Sequence, residues 1–157
     1  MSRLAEQSAR LDVGHYPARF GYRIVYSDMD ANRHVNNGTF GRLFEEGRVD
    51  LHQRVFGGSA APGASGRPTL LLATITMEFL REGRYPGSME VATAATRVGH
   101  SSFGLAQAVF QDGMCVALAD CVMVKAARSP GAAPVALTEN ERSALARLVF
   151  TAEHQPG

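Results

Sequence analysis

The chain has 157 residues, 45% hydrophobic and 20% charged, with a net charge of +1. That length suits one domain with a real core, and the balanced charge argues against a polyanion-binding protein. The sixteen Lys and Arg are dispersed among fifteen acids without a basic block, so no nucleic acid partner is expected, while a local basic patch for a phosphorylated ligand stays open.

Residues 1–17 read as a polar, weakly ordered lead-in. They lack the continuous apolar stretch of a signal peptide, and the longest apolar runs, such as "LLLATITM", are far too short to span a bilayer. A soluble cytoplasmic protein with no membrane partner is expected. "RFGYRIVYSD" then alternates, with Phe20, Tyr22, Ile24 and Tyr26 on one face, as a half-buried strand does. Next comes a polar loop, "YSDMDANRHVNNGTF". After it Phe40, Leu43, Phe44, Gly47 and Leu51 recur at helical spacing, which predicts an amphipathic helix from about Asn37 to Phe56, ended by Gly57 and Gly58. "GGSAAPGASGRP" reads as a flexible connector; it lacks the lysine and the strand-to-helix setting of a phosphate-cradling loop.

From Thr69 the chain reads as strands: "TLLLATITMEFLRE", "SMEVATAATRVG", "SSFGLAQAVFQDG" and "MCVALADCVMVKAA". The breaks are "GRYPG", "VGHS" and "QDG", the last a tight hairpin signal. Cys115 and Cys121, six apart, fall on one face of a regular strand, too far apart for a bridge, and read as reduced buried thiols. "SPGAAP" is a second linker, and "TENERSALARLVF" reads as a helix capped by Thr138 with Glu141 completing a capping box. The division is a lead-in (1–17), a domain (18–128), and a linker with a C-terminal helix and tail (129–157). One long helix against a single antiparallel sheet makes an α+β domain. Its uncovered face or edge makes a dimer plausible.

The polar loop holds two aspartates, a histidine and three asparagines within ten positions, 28–37. On a continuing strand Asp28 and Asp30 would point to the same side, with His34 four residues after Asp30 and Asn36 and Asn37 at a helix start. A helix start offers free N–H groups and the positive end of the dipole, which stabilise a developing anion. Carboxylate, histidine, water-orienting amides and an oxyanion-type terminus are the parts of a hydrolytic acyl-transfer site without a serine or cysteine nucleophile. Asp28, Asp30 and His34 could instead coordinate a divalent ion, but no further His or Cys lies at ligand spacing, so no metal is expected. The plain alternative is that Asp30 or Asn36 caps the helix while His34 bonds locally.

"DMDANRHVNNGTFGRLFEEGRVDL" resembles the D-x-D-x-x-x-H-V-N-N stretch and long helix of hotdog-fold thioesterases of the 4-hydroxybenzoyl-CoA thioesterase type. It also resembles the D-x-D-x-N-x-H-V-N-N motif in the repeated domain of plant acyl-acyl-carrier-protein thioesterases. The likeness runs through "RVGxSS" at Arg97 to Ser102 and covers roughly residues 18–127. It implies a hotdog fold and hydrolysis of an acyl-CoA or acyl-carrier-protein thioester, with no cofactor beyond the CoA or carrier of the substrate. It implies Asp30 as nucleophile or general base, with Asn32 and His34 assisting. Backbone N–H groups of Asn37 and Gly38 would polarise the carbonyl, with Asp28, Asn36 and Glu46 in support. Weaker candidates for substrate contact are Arg33, His100 and Ser102. Arg81, Arg84, Arg97 and Arg128 are available for CoA phosphates. The family's active site forms between protomers, so a homodimer or homotetramer is implied.

Many relatives carry Gly before the histidine; Arg33 fits there only if the position does not require positive φ. Two other readings are an acyl-thioester sensor that has kept the pocket and an enoyl-thioester hydratase. The hydratase motif, with His five after Asp and Pro after Asn, matches poorly, since His34 is four after Asp30 and Arg33 follows Asn32.

Overall fold

The computed structural model describes residues 4, 7–57, 68–128 and 131–151. Gly58, most of the Gly/Ala/Pro/Ser connector, part of the second linker and the tail lie outside the described residues. Five strands make one antiparallel sheet: β1 (Ala18–Arg23), β2 (Thr69–Phe79), β3 (Ser88–Val98), β4 (Ser102–Gln111) and β5 (Met114–Ala126), in the spatial order β1-β3-β4-β5-β2. Helix α1 (Asn37–Phe56) crosses one face, and a short α2 (Glu139–Ala146) follows the sheet.

Helix α1 forms where its pattern predicts. Phe40, Leu43, Phe44, Gly47 and Leu51 are buried, packing Phe40, Leu43 and Phe44 against Val91, Val109, Ala117 and Ala119 of the sheet. Asn36 caps the start, and Gly57 ends it in the left-handed region at φ 67°. At Gly47 the helix lies close against the sheet. A Cβ there would lie 2.7 Å from Thr93 Oγ1 and 2.8 Å from Gln107 Nε2. Those two side chains form a buried polar link, Gln107 Nε2 donating to Phe44 O and Thr93 Oγ1. In α2, Thr138 and Glu141 form the capping box, and Glu141 also pairs with buried Lys125.

Several expectations are corrected. Residues 7–16 are not a loose lead-in. Two 3-10 turns, Ser8–Leu11 and Val13–His15, roof the sheet face opposite α1, burying Tyr16 against Ala92, Ala94, Ala106, Ala108 and Phe110. Arg10 is 3% exposed because its guanidinium finds a partner for nearly every N–H: Tyr16 Oη, Asp120 Oδ1, and the Gln107 and Ala119 carbonyls. Burial pushes the Tyr16 phenol up to about 12, so it meets Arg10 as a neutral acceptor.

The C-terminal helix stops at Ala146, short of Phe150. Arg147 and Leu148 close a turn, and Val149 then bridges Ala95, with Ala95 N donating to Leu148 O and Phe150 N to Ala95 O. The Phe150 ring then packs 5.0 Å from Tyr16.

The two cysteines do not share a face. The register slips between Val109 and Phe110 opposite Val116, and this bulge turns Cys115 to the roofed face while Cys121 faces the helix side. Both are free and buried, with thiols raised to about 11 by burial.

Strand β2 is an edge, paired only with β5. Leu71, Leu72, Met77 and Phe79 on it are 37–44% exposed.

Candidate active site

The first strand ends at Arg23 rather than continuing through the loop. Tyr26–Asp28 form a 3-10 turn, so Tyr26 leaves the strand face and is 79% exposed. Asp28 and Asp30 therefore do not sit alternately along one extended segment. Asp28 is 3% exposed. Its carboxylate accepts from Tyr22 Oη at 2.8 Å, Val25 N at 2.9 Å and Arg42 Nη2 at 2.6 Å. The hydrogen bond to Tyr22, with Asp28 beside it, raises the Arg42 pKa. The Asp28 carbonyl takes Asn36 N and Thr39 Oγ1, which fixes the angle at which the loop enters α1.

Asp30 begins a tight turn closed by a bridge between Met29 and Val35. Its N–H donates to His34 O, and its Oδ1 accepts from Asn32 N at 2.8 Å and His34 N at 3.3 Å. Oδ2 has no partner among the described residues, and the residue is half-buried. The geometry thus gives Asp30 one oxygen that holds the turn and one that is free. Arg33 sits in that turn at φ 63°. The position does require the left-handed region, and the chain places an arginine there, a cost of roughly 1 kcal/mol relative to glycine.

His34 Nε2 lies 3.1 Å from Glu82 Oε2. Glu82 belongs to the loop after β2, a strand that ends at Phe79 rather than running through Glu82 as the sequence suggests, and no local pattern pairs it with His34. Its placement traces to Gly83. A Cβ on Gly83 would lie 2.5 Å from Met89 Cε and 2.9 Å from Val35 Cβ. Without one, Gly83 O accepts Val35 N at 2.9 Å, and the two loops close against each other. When Glu82 accepts the Nε2 proton of a neutral ring, Nδ1 carries the free lone pair.

At the helix start the N–H groups are unequal. Gly38 N donates to Asn36 Oδ1 at 2.7 Å and Thr39 N to Asn36 O. This corrects the expectation for Gly38, because the capping side chain already occupies its N–H. Asn37 N–H has no partner among the described residues and remains available to an anion. Beside this helix start lies a cavity of about 570 Å³ lined by Tyr22, Ser27, Asp28, Asn36, Thr39 and Arg42 among others. Its carboxylate is Asp28, and Asp30 and His34 are not part of its lining.

Asn32 is exposed, its N–H on Asp30. Glu46 is exposed on α1. His100 and Ser102 are not brought to the site. They lie at the β3–β4 turn, where Val98 faces Phe103 and Ser102 faces Val124, whereas the 28–38 loop meets the sheet at the Ser88 end of β3. Arg97 and Arg128 share that far end. Among the described residues no group of three His, Cys, Asp or Glu is disposed to hold a metal ion, and no helix is long and apolar enough to cross a membrane.

The comparisons with known proteins agree with this architecture. The thioesterase-like superfamily matches residues 24–148. No curated protein matches the sequence. Among solved structures, a Pseudomonas aeruginosa PAO1 protein is similar at 25% identity and a TM-score of 0.78, over 89% of this chain and 96% of that one. A Thermus thermophilus thioesterase complexed with coenzyme A and zinc shares the fold at 24% identity and a TM-score of 0.72, covering 85% and 95%. A 1,4-dihydroxy-2-naphthoyl-CoA thioesterase from Synechocystis does so at 15% and 0.73, covering 83% and 96%. With the helix on a five-stranded antiparallel sheet and a matching profile over most of its length, the chain belongs to the thioesterase-like superfamily and is a thioester hydrolase of the hotdog fold.

Proposed function

We propose that the protein is a cytoplasmic hydrolase of the acyl thioester of CoA or acyl carrier protein, releasing a carboxylic acid and a free thiol, with Asp30 as its catalytic carboxylate. The observation that carries this reading is the Asp30 turn. One carboxylate oxygen is spent on the Asn32 and His34 N–H groups, which leaves Oδ2 oriented and unpartnered. That oxygen either attacks the acyl carbon, expelling the thiolate and leaving an anhydride for water to open, or removes a proton from an attacking water. Asn37 N–H at the helix start faces the carbonyl oxygen as it gains charge. His34, held by Glu82 at 3.1 Å, manages a proton for water or the departing thiolate, and Asn32 orients the water. Asp28 serves as scaffold, and Arg33 and Glu46 stay at the periphery.

The exposed apolar edge of β2 supports a homo-oligomer, because an eleven-residue strand paired on one side only is a template for a second copy. A relative that binds CoA supports CoA as the thiol, and the donor set gives no reason to invoke a metal or other cofactor.

The test is a hydrolysis panel of acyl-CoAs of short, long and aromatic acyl groups, reading the free thiol, with and without chelator. Asp30→Asn is expected to lower turnover by roughly 10³-fold or more and His34→Ala by about 10²–10⁴. Chelation should leave the rate unchanged. Near-wild-type turnover in Asp30→Asn refutes the assignment, and acyl-CoA binding without hydrolysis across the panel points to a sensor.

A further inference from the structure

At the end of the sheet that carries the Asp30 turn, the loops leave an unusual rim. Tyr26 and Tyr85 meet edge to face, ring centroids 5.9 Å apart at 79°, yet they are 79% and 44% exposed. Two aromatic rings braced against each other in solvent present stacking surface that the fold itself does not use. Around them Arg23, Arg33 and Arg84 are exposed, and their side chains make no ion pair or hydrogen bond among the described residues.

The backbone fixes these groups as neighbours. Arg23 pairs with Ser88, Ile24 N donates to Gly87 O, and Val35, two residues past Arg33, donates to Gly83 O. Gln111 clamps the Arg84 peptide through both its N–H and its carbonyl, so the loop bearing Arg84 and Tyr85 is fixed. Of the nearby acids, Glu82 faces His34, Asp30 spends Oδ1 on its turn and keeps Oδ2 for the chemistry, and Asp112 sits exposed at the hairpin tip. Of the arginines open from sequence, Arg81 donates to Cys115 O, and Arg97 and Arg128 stand at the other end of the sheet.

We propose that Arg23, Tyr26, Arg33, Arg84 and Tyr85 form the subsite for the phosphorylated adenosine end of CoA, making the substrate an acyl-CoA in preference to an acyl carrier protein. This rests on the thioesterase reading of the Asp30 turn. A planar heterocycle carrying phosphates matches the rim's two chemistries: the tyrosines offer a stacking face, and guanidinium groups meet phosphate oxygens in paired hydrogen bonds. A carrier protein presents a phosphopantetheine arm without the adenosine, which would leave the tyrosine pair without a ring to stack on.

The test compares wild type, Arg84→Ala and Tyr85→Ala on one acyl group carried by CoA, by N-acetylcysteamine and by holo carrier protein. Alongside it, calorimetry measures binding of adenosine 3′,5′-bisphosphate. The kcat/KM ratio of acyl-CoA over the acyl-N-acetylcysteamine thioester should fall about 10-fold in each variant, mostly through KM, with nucleotide affinity falling in parallel. The wild-type KM for acyl-CoA should rise with ionic strength. An unchanged ratio, equal losses on both small thioesters, or a loss confined to the carrier-protein substrate overturns the proposal. If the wild type hydrolyses none of the three, the thioesterase reading fails, and nucleotide binding still judges the rim: no binding, or binding indifferent to both substitutions, overturns it.

Discussion

Replacing Asp28 by alanine and Asp30 by asparagine separates two carboxylates that stand two positions apart. Asp28 is 4% exposed at its side chain and takes three hydrogen bonds, from Tyr22, Val25 and Arg42. Hydrogen bonds to an ionised acceptor contribute about 1.5–3 kcal/mol each in favourable cases. Arg42 is 47% exposed and regains water when its partner goes, and Tyr22 Oη keeps its bond from Arg42. The lasting loss falls on the Val25 N–H and on the part-buried side-chain tether from the 3-10 turn to Arg42 of α1. Together these place Asp28→Ala about 3 kcal/mol below wild type, or roughly 6–12 °C in Tm for a chain of this size.

Asp30→Asn keeps an amide oxygen for the Asn32 and His34 N–H groups, so its stability should fall by about 1 kcal/mol or less. Its turnover should collapse. Thermal and urea unfolding followed by circular dichroism, with hydrolysis measured well below either transition, read both quantities. Equal destabilisation by the two substitutions, or Asp28→Ala within roughly 0.5 kcal/mol of wild type, would refute the division of roles.

Arg33→Gly removes a left-handed arginine at φ 63° and should stabilise the protein by about 0.5–1 kcal/mol, read as a shift in urea midpoint; a loss of stability would mean that its side chain makes a contact worth more. Gly47→Ala adds helix propensity but drives a methyl to within 2.7 Å of Thr93 Oγ1, so a net loss of about 1–3 kcal/mol is expected, and a gain would show the link to be pliant. Burial pulls the Glu141 carboxyl upward, but bonds from Lys125 and Thr138 outweigh it and leave its pKa lowered. A carboxyl with a depressed folded pKa stabilises fully above its unfolded value, near 4.5, and loses that contribution as pH falls through the folded one. Glu141→Gln should therefore flatten the acid limb of a stability–pH curve, and an unchanged limb would discard the pair as an anchor of α2.

Helix α1 was legible residue by residue because burial on one face and a left-handed glycine at its end are both local signals. The strands β3 to β5 were legible for the same reason, as apolar runs bounded by turn residues. What composition hid was pairing at a distance. Arg10 looks like a solvated lead-in residue until the carbonyls of Gln107 and Ala119 are placed above it. Residues 147–151 keep a helical apolar pattern, yet Ala95 offers them backbone partners beside a bulge in β3. The bulge at Val116 reverses strand parity without any sequence mark, which misplaced Cys115. Within the site, the Asp30 turn was visible as a motif, whereas Glu82 needed Gly83 to bring two separate loops together.

The roof over the sheet is built from both ends of the described chain. Tyr16 meets Phe150, Arg10 lies 6.0 Å from the centre of that ring, and Thr151 N donates to His15 O. A chain emerging from the ribosome can form its N-terminal turns early, but it cannot seal them onto the sheet until the final strand and residues 147–151 have followed. Until then the alanine-rich face of β3 and β4 lacks part of its cover, and exposed apolar surface of this kind is where an incomplete chain meets foreign contacts.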